Sequence, residues 1–153
     1  MRVSTARQLL PWAPLILRLS LGIIFVAHGG QKLFGWWGGP GLSASIDALK
    51  SSLGVPAYLL LISILTEFFG GLAILFGFLT RIAAVGLGID MFVAITRVQV
   101  INGFFLNWDL IPGRGHGYEF NLALLAMSLA VALAGPGRLA LDHVLGFEDE
   151  GGV

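Results

Sequence analysis

Six ionisable residues fall where water is scarce. His28, Lys32, Glu67, Asp90, Arg97 and Glu119 lie within, or at the ends of, strongly apolar runs, with Arg18, Arg81 and His116 nearby as a secondary set. Together they offer a histidine that can donate or accept, carboxylates that can exchange protons, and cations that can hold an anion. His, Glu and Asp are acceptable metal ligands by type, but three scattered residues make no ligand pattern, so no metal is assigned. A bis-histidine haem needs two histidines at similar depth, and only His28 lies inside a run. No phosphate loop or nucleophile elbow is present. The absence of cysteine excludes disulfides, thiolate metal sites and a dithiol relay carried by this chain. The chain therefore holds no complete catalytic motif, and no catalytic residue is assigned.

The helices that carry these groups can be read from composition. Of the 153 residues, 56% are hydrophobic and 12% charged, against roughly 45–50% and 25% in soluble domains. Such a chain cannot cover itself with polar surface, so lipid is its solvent. The formal net charge of zero gives no reason to expect nucleic acid. Four apolar runs stand out at about Leu15–Phe34, Ala57–Phe78, Ile82–Val100 and Phe120–Ala134, each near the ~20 residues a membrane-crossing helix needs. Arg18 interrupts the first run and no small-residue cleavage site follows it in time, so it reads as a retained span. The expected fold is all-α, one domain over residues 1–153: a four-transmembrane-helix bundle. Between the first two spans, Leu42, Ile46, Leu49 and Leu53 repeat at helical spacing, with Asp47 and Lys50 elsewhere, which predicts a short interfacial amphipathic helix.

Antiparallel threading sorts the charges into layers. Lys32, Arg97 and Glu119 form an outer group, His28, Glu67 and Asp90 a central one, and Arg18 and Arg81 an inner pair. A charge inside a membrane helix costs ~2.5–3.5 kcal/mol, so mid-span Glu67 and Asp90 must be paired, protonated or in a wet cavity. Arg18 and Lys32 are close enough to span ends to snorkel, Glu119 suits a helix N-terminus, and His116 beside it suits the interface. Stripes of small residues, such as Ala123, Ala126, Ala130 and Ala134 in the fourth span, predict faces turned toward other helices. Placing Arg2, Arg7, Arg18, Arg81 and Arg138 inside, against Lys32, Lys50, Arg97 and Arg114 outside, favours an N-in, C-in orientation by one charge.

Several of these segments resemble one family. The run Arg18…Phe25-Val26-Ala27-His28-Gly29-Gly30-Gln31-Lys32-Leu33-Phe34-Gly35 is similar to the first-span signature of the DoxX family. The same holds for Glu67-Phe68-Phe69-Gly70-Gly71-Leu72 with Thr80-Arg81, for Gly117-Tyr118-Glu119-Phe120-Asn121, and for Gly135-Pro136-Gly137-Arg138 leading to Leu141-Asp142. Ala140 departs from it, standing where a serine is common. The resemblance covers essentially the whole chain and implies a small four-helix protein of the bacterial cytoplasmic membrane. It also implies a link to quinone-dependent oxidoreductase or oxidative-stress complexes.

Three functions are compatible with these residues. The first is a membrane subunit that binds a small lipophilic ligand, a quinone for example, at the polar bundle centre, with a soluble redox partner supplying electrons. The second is a scaffold or assembly factor, as a homo-oligomer or with partners, whose buried ion pairs fix helix neighbours. The third is a small-solute or proton transporter, which a narrow four-span chain would achieve only as an oligomer.

Overall fold

Proline and glycine mark where helices begin and end. The computed structural model describes residues 9–148. Helix α1 (Trp12–Phe34) starts after Pro11 and stops at Gly35, which takes the left-handed conformation with φ 74° and donates its N–H to the Gln31 and Gly30 carbonyls. Helix α2 (Gly41–Leu53) lies between Pro40 and left-handed Gly54. Helix α3 (Ala57–Phe76) lies between Pro56 and left-handed Gly77. Proline at a helix start sacrifices no internal hydrogen bond, and glycine past the end accepts a positive φ without steric cost. Helix α4 (Thr80–Asn102), helix α5 (Glu119–Ala134) and the single turn α6 (Leu141–Val144) complete the order.

Helices α1, α3 and α4, of 23, 20 and 23 residues, are long and apolar enough to cross a bilayer. Helix α5 is apolar but only 16 residues long, about 24 Å at a rise of roughly 1.5 Å per residue. The described residues contain no strand, and the all-helical membrane bundle expected from the apolar runs is the observed fold. The second span ends at Phe76 instead of Phe78 because Gly77 turns the chain. Arg2 and Arg7, which entered the orientation count, lie outside the described residues.

Close backbone contact joins α1 to α3. A Cβ added to Gly29 would lie 2.6 Å from the Phe68 nitrogen, and one added to Gly71 would lie 2.8 Å from the Val26 nitrogen. Only glycine permits that approach. Helix α5 runs antiparallel to α4, since Arg81 at the start of α4 donates to the Ala132 and Leu133 carbonyls at the end of α5, at 2.6 and 2.8 Å. Leu21, Phe25, Ile74, Leu87, Leu124 and Val131 fill the core between these pairs. The alanine stripe expected to face other helices does not do so throughout: Ala123 and Ala126 are exposed, and α5 buries Asn121, Leu124, Ser128 and Val131. Helix α4 supplies the small residues of this contact, Ala84 and Gly88, so the larger side chains come from α5.

Helix α2 matches the amphipathic reading. Leu42, Ile46, Leu49 and Leu53 are half-buried while Asp47 and Lys50 are exposed, and the buried Ser45 donates its hydroxyl to the Lys32 carbonyl at 3.3 Å.

At the opposite end, the segment following α5 ties the spans together. Both Asp142 carboxylate oxygens accept backbone N–H groups, from Leu79 at 2.6 Å and Thr80 at 2.9 Å, and so cap α4. Arg18, only 1% exposed, does not snorkel: its Nη2 donates to the Leu139 carbonyl at 2.9 Å. Arg81 does more than anchor a turn, because its Nε also pairs with Glu148 at 2.6 Å. Replacing Asp142 with alanine should lower stability by about 1–3 kcal/mol, the cost of stranding two buried helix-end donors. Thermal unfolding in mild detergent measures this, and an unchanged midpoint would show that water or lipid replaces the cap.

Candidate functional site

The contact of Gly29 with Phe68 sets one turn of α1 beside one turn of α3, and two charges meet there. Lys32 Nζ lies 2.5 Å from Glu67 Oε1 and 2.7 Å from Oε2. The Glu67 side chain is 7% exposed and that of Lys32 31%. Lys32 therefore turns inward to the carboxylate, where its position near a span end had suggested snorkelling outward. Helix α2, resting on the Lys32 carbonyl through Ser45, covers that end. Asp90 approaches from α4, with Ser63 of α3 beside its carboxylate and Lys32 and Glu67 within electrostatic reach. Its Oδ2 is shielded and meets no donor.

A cavity of about 300 Å³ opens beside the ion pair. Phe25, Met91 and Leu124 form its apolar inner wall, and Leu49 of α2, Val98 and Phe120 enclose it further. Its polar groups are His28, Lys32, Glu67, Gln99 and Asn121. His28 and Phe120 are exposed as well as lining it, so the cavity communicates with the surface of the bundle at the level of these two side chains. The Asn121 amide makes a weak contact, 3.4 Å, with the Met91 sulfur.

Local helix winding decides which side chains arrive. Residues Thr66–Gly70 of α3 and Ala94–Gln99 of α4 wind as π-helix. Each wide turn inserts an extra residue and rotates the register of the helix beyond it, a distortion that recurs at functional sites. Glu67 belongs to the first such segment, and Ala94, Val98 and Gln99 belong to the second.

The sequence-predicted residues thus separate. His28, Lys32 and Glu67 line the cavity and Asp90 adjoins Glu67. Arg97 is exposed and outside the lining, because the π segment of α4 turns Val98 and Gln99 inward instead. Glu119 does not line it either: its Oε1 accepts the Leu106 N–H at 2.9 Å and fastens the α4–α5 connection. His116 serves the same connection, with Nδ1 accepting the Asn107 N–H at 3.2 Å. Buried Asn107 bonds the backbone of Ile111 and Arg114. Arg18 and Arg81 belong to the other end of the bundle. Gln99 and Ser63 are not singled out by the sequence, where their only signal is a polar side chain at the edge or interior of an apolar run, and Asn121 appears there only as the last residue of the Gly117–Asn121 family motif. Among the described residues, no three His, Asp or Glu side chains converge to hold a metal ion.

Apolar helices of spanning length, a buried ion pair and a polar-lined cavity beside it define an integral membrane protein with an internal cavity. The chain belongs to the DoxX family, whose model matches residues 13–108. It is 32% identical to the inner membrane protein YqjF of Escherichia coli, over 86% of this chain and 90% of the relative. It is likewise 32% identical to CatD of Bacillus subtilis, which carries an oxidoreductase name, over 84% and 83% of the two chains. An uncharacterized membrane protein of Mycobacterium tuberculosis is 33% identical over 88% and 82%. No solved structure matches significantly.

Breaking one partner of the pair leaves a buried charge. Lys32→Met should destabilise the protein toward the low end of ~3–5 kcal/mol, since the lysine is partly exposed, while Lys32→Met combined with Glu67→Leu should recover much of the loss. Unfolding of both variants in the same detergent decides this. A double variant no more stable than the single one would mean that the pair is not an isolated unit.

Proposed function

We propose that this protein is a membrane subunit that binds a small lipophilic ligand of the quinone type in the cavity beside Lys32 and Glu67, as part of a redox complex in the cytoplasmic membrane. The observation that carries the reading is the cavity itself, with an apolar inner wall and convergent polar groups at bilayer depth. Its volume of about 300 Å³ lies at the small end of the ~300–1,000 Å³ of ligand pockets, which suits a ring whose tail extends outward. The exposed cavity-lining residues His28 and Phe120 offer that tail a path along the bundle surface into lipid. His28 and Lys32 can donate to ring oxygens, and Glu67 and Asp90 can exchange protons with them. The oxidoreductase name of the Bacillus relative supports the redox association. With no dithiol in the chain, electrons would come from a soluble partner or a bound cofactor. On this reading Arg18, Arg81 and Arg138 mark the cytoplasmic side.

The test is to purify the protein from native membranes in mild detergent and extract co-purifying small molecules for mass spectrometry. Wild type should carry a quinone-type lipid in substantial yield, and Glu67→Gln, which weakens the hold on Lys32, should retain several-fold less. A folded wild-type protein free of any such molecule would remove this reading and favour a scaffold in which the pair only fixes helix neighbours.

A further inference from the structure

The α4–α5 connection satisfies its own backbone to a degree that a loop in water does not need. Its two legs pair with each other: Gly117 donates its N–H to Phe105 at 3.1 Å, Tyr118 to Gly103 at 3.2 Å and Glu119 to Phe104 at 3.0 Å. Between the legs, the N–H groups of Leu106, Asn107 and Ile111 donate to the side chains of Glu119, His116 and Asn107. Those of Trp108, Leu110 and Arg114 donate to the carbonyls of Leu106, Asn107 and Ile111. The Asn107 amide then donates to the carbonyls of Ile111 and Arg114. Water would serve most of these groups in a solvated loop. Where water is scarce, irregular backbone persists only if the protein supplies the partners.

The side chains of the same stretch are left without cover. Phe104, Phe105, Trp108, Leu110 and Ile111 are all exposed, Trp108 and Leu110 at 75%. The patch continues the lipid-facing surface of the spans, from Ile101 at the end of α4 to Phe120 and Leu122 at the start of α5. Charge makes no case for a soluble partner, because Asp109 and Arg114 are the one acid and the one strong base of residues 103–118 and cancel. Length makes a case for lipid. Helix α5, 16 residues long, falls about 6 Å short of the ~30 Å hydrocarbon core. Its far end is held at headgroup level by the exposed pair of Arg81 and Glu148, so the shortfall lies at the Glu119 end, where this connection begins. Trp37, also exposed, stands at that end of the bundle, and tryptophan favours the membrane interface.

We infer that the α4–α5 connection is a lipid-binding loop, seated in the phospholipid leaflet at the Lys32 end of the bundle. Its exposed apolar side chains lie among the upper acyl chains, with Asp109 and Arg114 among the headgroups. Because the chain has no cysteine, a nitroxide spin label can be placed at one residue at a time. Phe105→Cys and Leu110→Cys are labelled in phospholipid nanodiscs beside two references, Ile89→Cys on the exposed surface of α4 and Ser51→Cys on the exposed face of α2. Power-saturation EPR compares collisions with oxygen, which concentrates in lipid, and with a water-soluble nickel chelate. The oxygen-to-nickel ratio at Phe105 and Leu110 should exceed that at Ser51 several-fold and approach that at Ile89. A ratio at either loop position no higher than at Ser51 overturns the inference: the loop then stands in water, with its apolar patch open to a soluble partner.

Discussion

Lys32 and Glu67 meet inside a bundle that buries the carboxylate and leaves the lysine only partly exposed. A carboxylate at mid-span has few ways to persist in a membrane, and a lysine bidentate on its two oxygens is one of them. That pairing is possible only because α1 and α3 touch backbone to backbone, through Gly29 at Phe68 and Gly71 at Val26. A side chain at either glycine would hold the helices apart and leave the lysine short of its partner. Helix α2 then covers the Lys32 end, and Asp90 of α4 lies within electrostatic reach of the same pair. The first three spans are thus arranged around one electrostatic requirement, and the cavity is the space left beside it.

The two π segments supply the rest. An undistorted α4 carrying Asp90 inward would return the same face two turns later, at Arg97. The wide turn at Ala94–Gln99 shifts that face, so an amide enters the cavity and the guanidinium stays outside. This substitutes a neutral hydrogen-bonding group for a charge beside an existing ion pair. At the far end of the bundle, Asp142, Arg18 and Arg81 serve a different purpose. They meet helix-end and loop backbone groups that apolar surroundings would otherwise leave unpaired, and so clamp the start of α1, the α3–α4 turn and the end of α5.

Much of this is legible in the residues alone. Apolar runs of spanning length define the helices, proline and glycine define most of their ends, and the leucine spacing of residues 42–53 identifies the amphipathic helix. The central depth of Glu67 and Asp90 comes from counting along each span. The features that escape the sequence depend on contacts between distant segments or on local winding. Nothing in Ala94–Gln99 announces a π turn, so the sequence favours Arg97 over Gln99. Nothing near Asp142 reveals that it caps a helix more than sixty residues earlier. Lys32 can be placed near a span end, but its choice between lipid headgroups and Glu67 is set by the approach of α3. The alanines of α5 illustrate the same limit, because which of two helices supplies the small side chains is a property of the pair.

The most direct test is a crystal structure of the protein in a lipid mesophase soaked with a short-tailed quinone. Ring density is expected in the cavity between Phe25 and Phe120, with Lys32 still paired with Glu67. A cavity closed by its own side chains, or occupied by ordered water alone at saturating ligand, would contradict it.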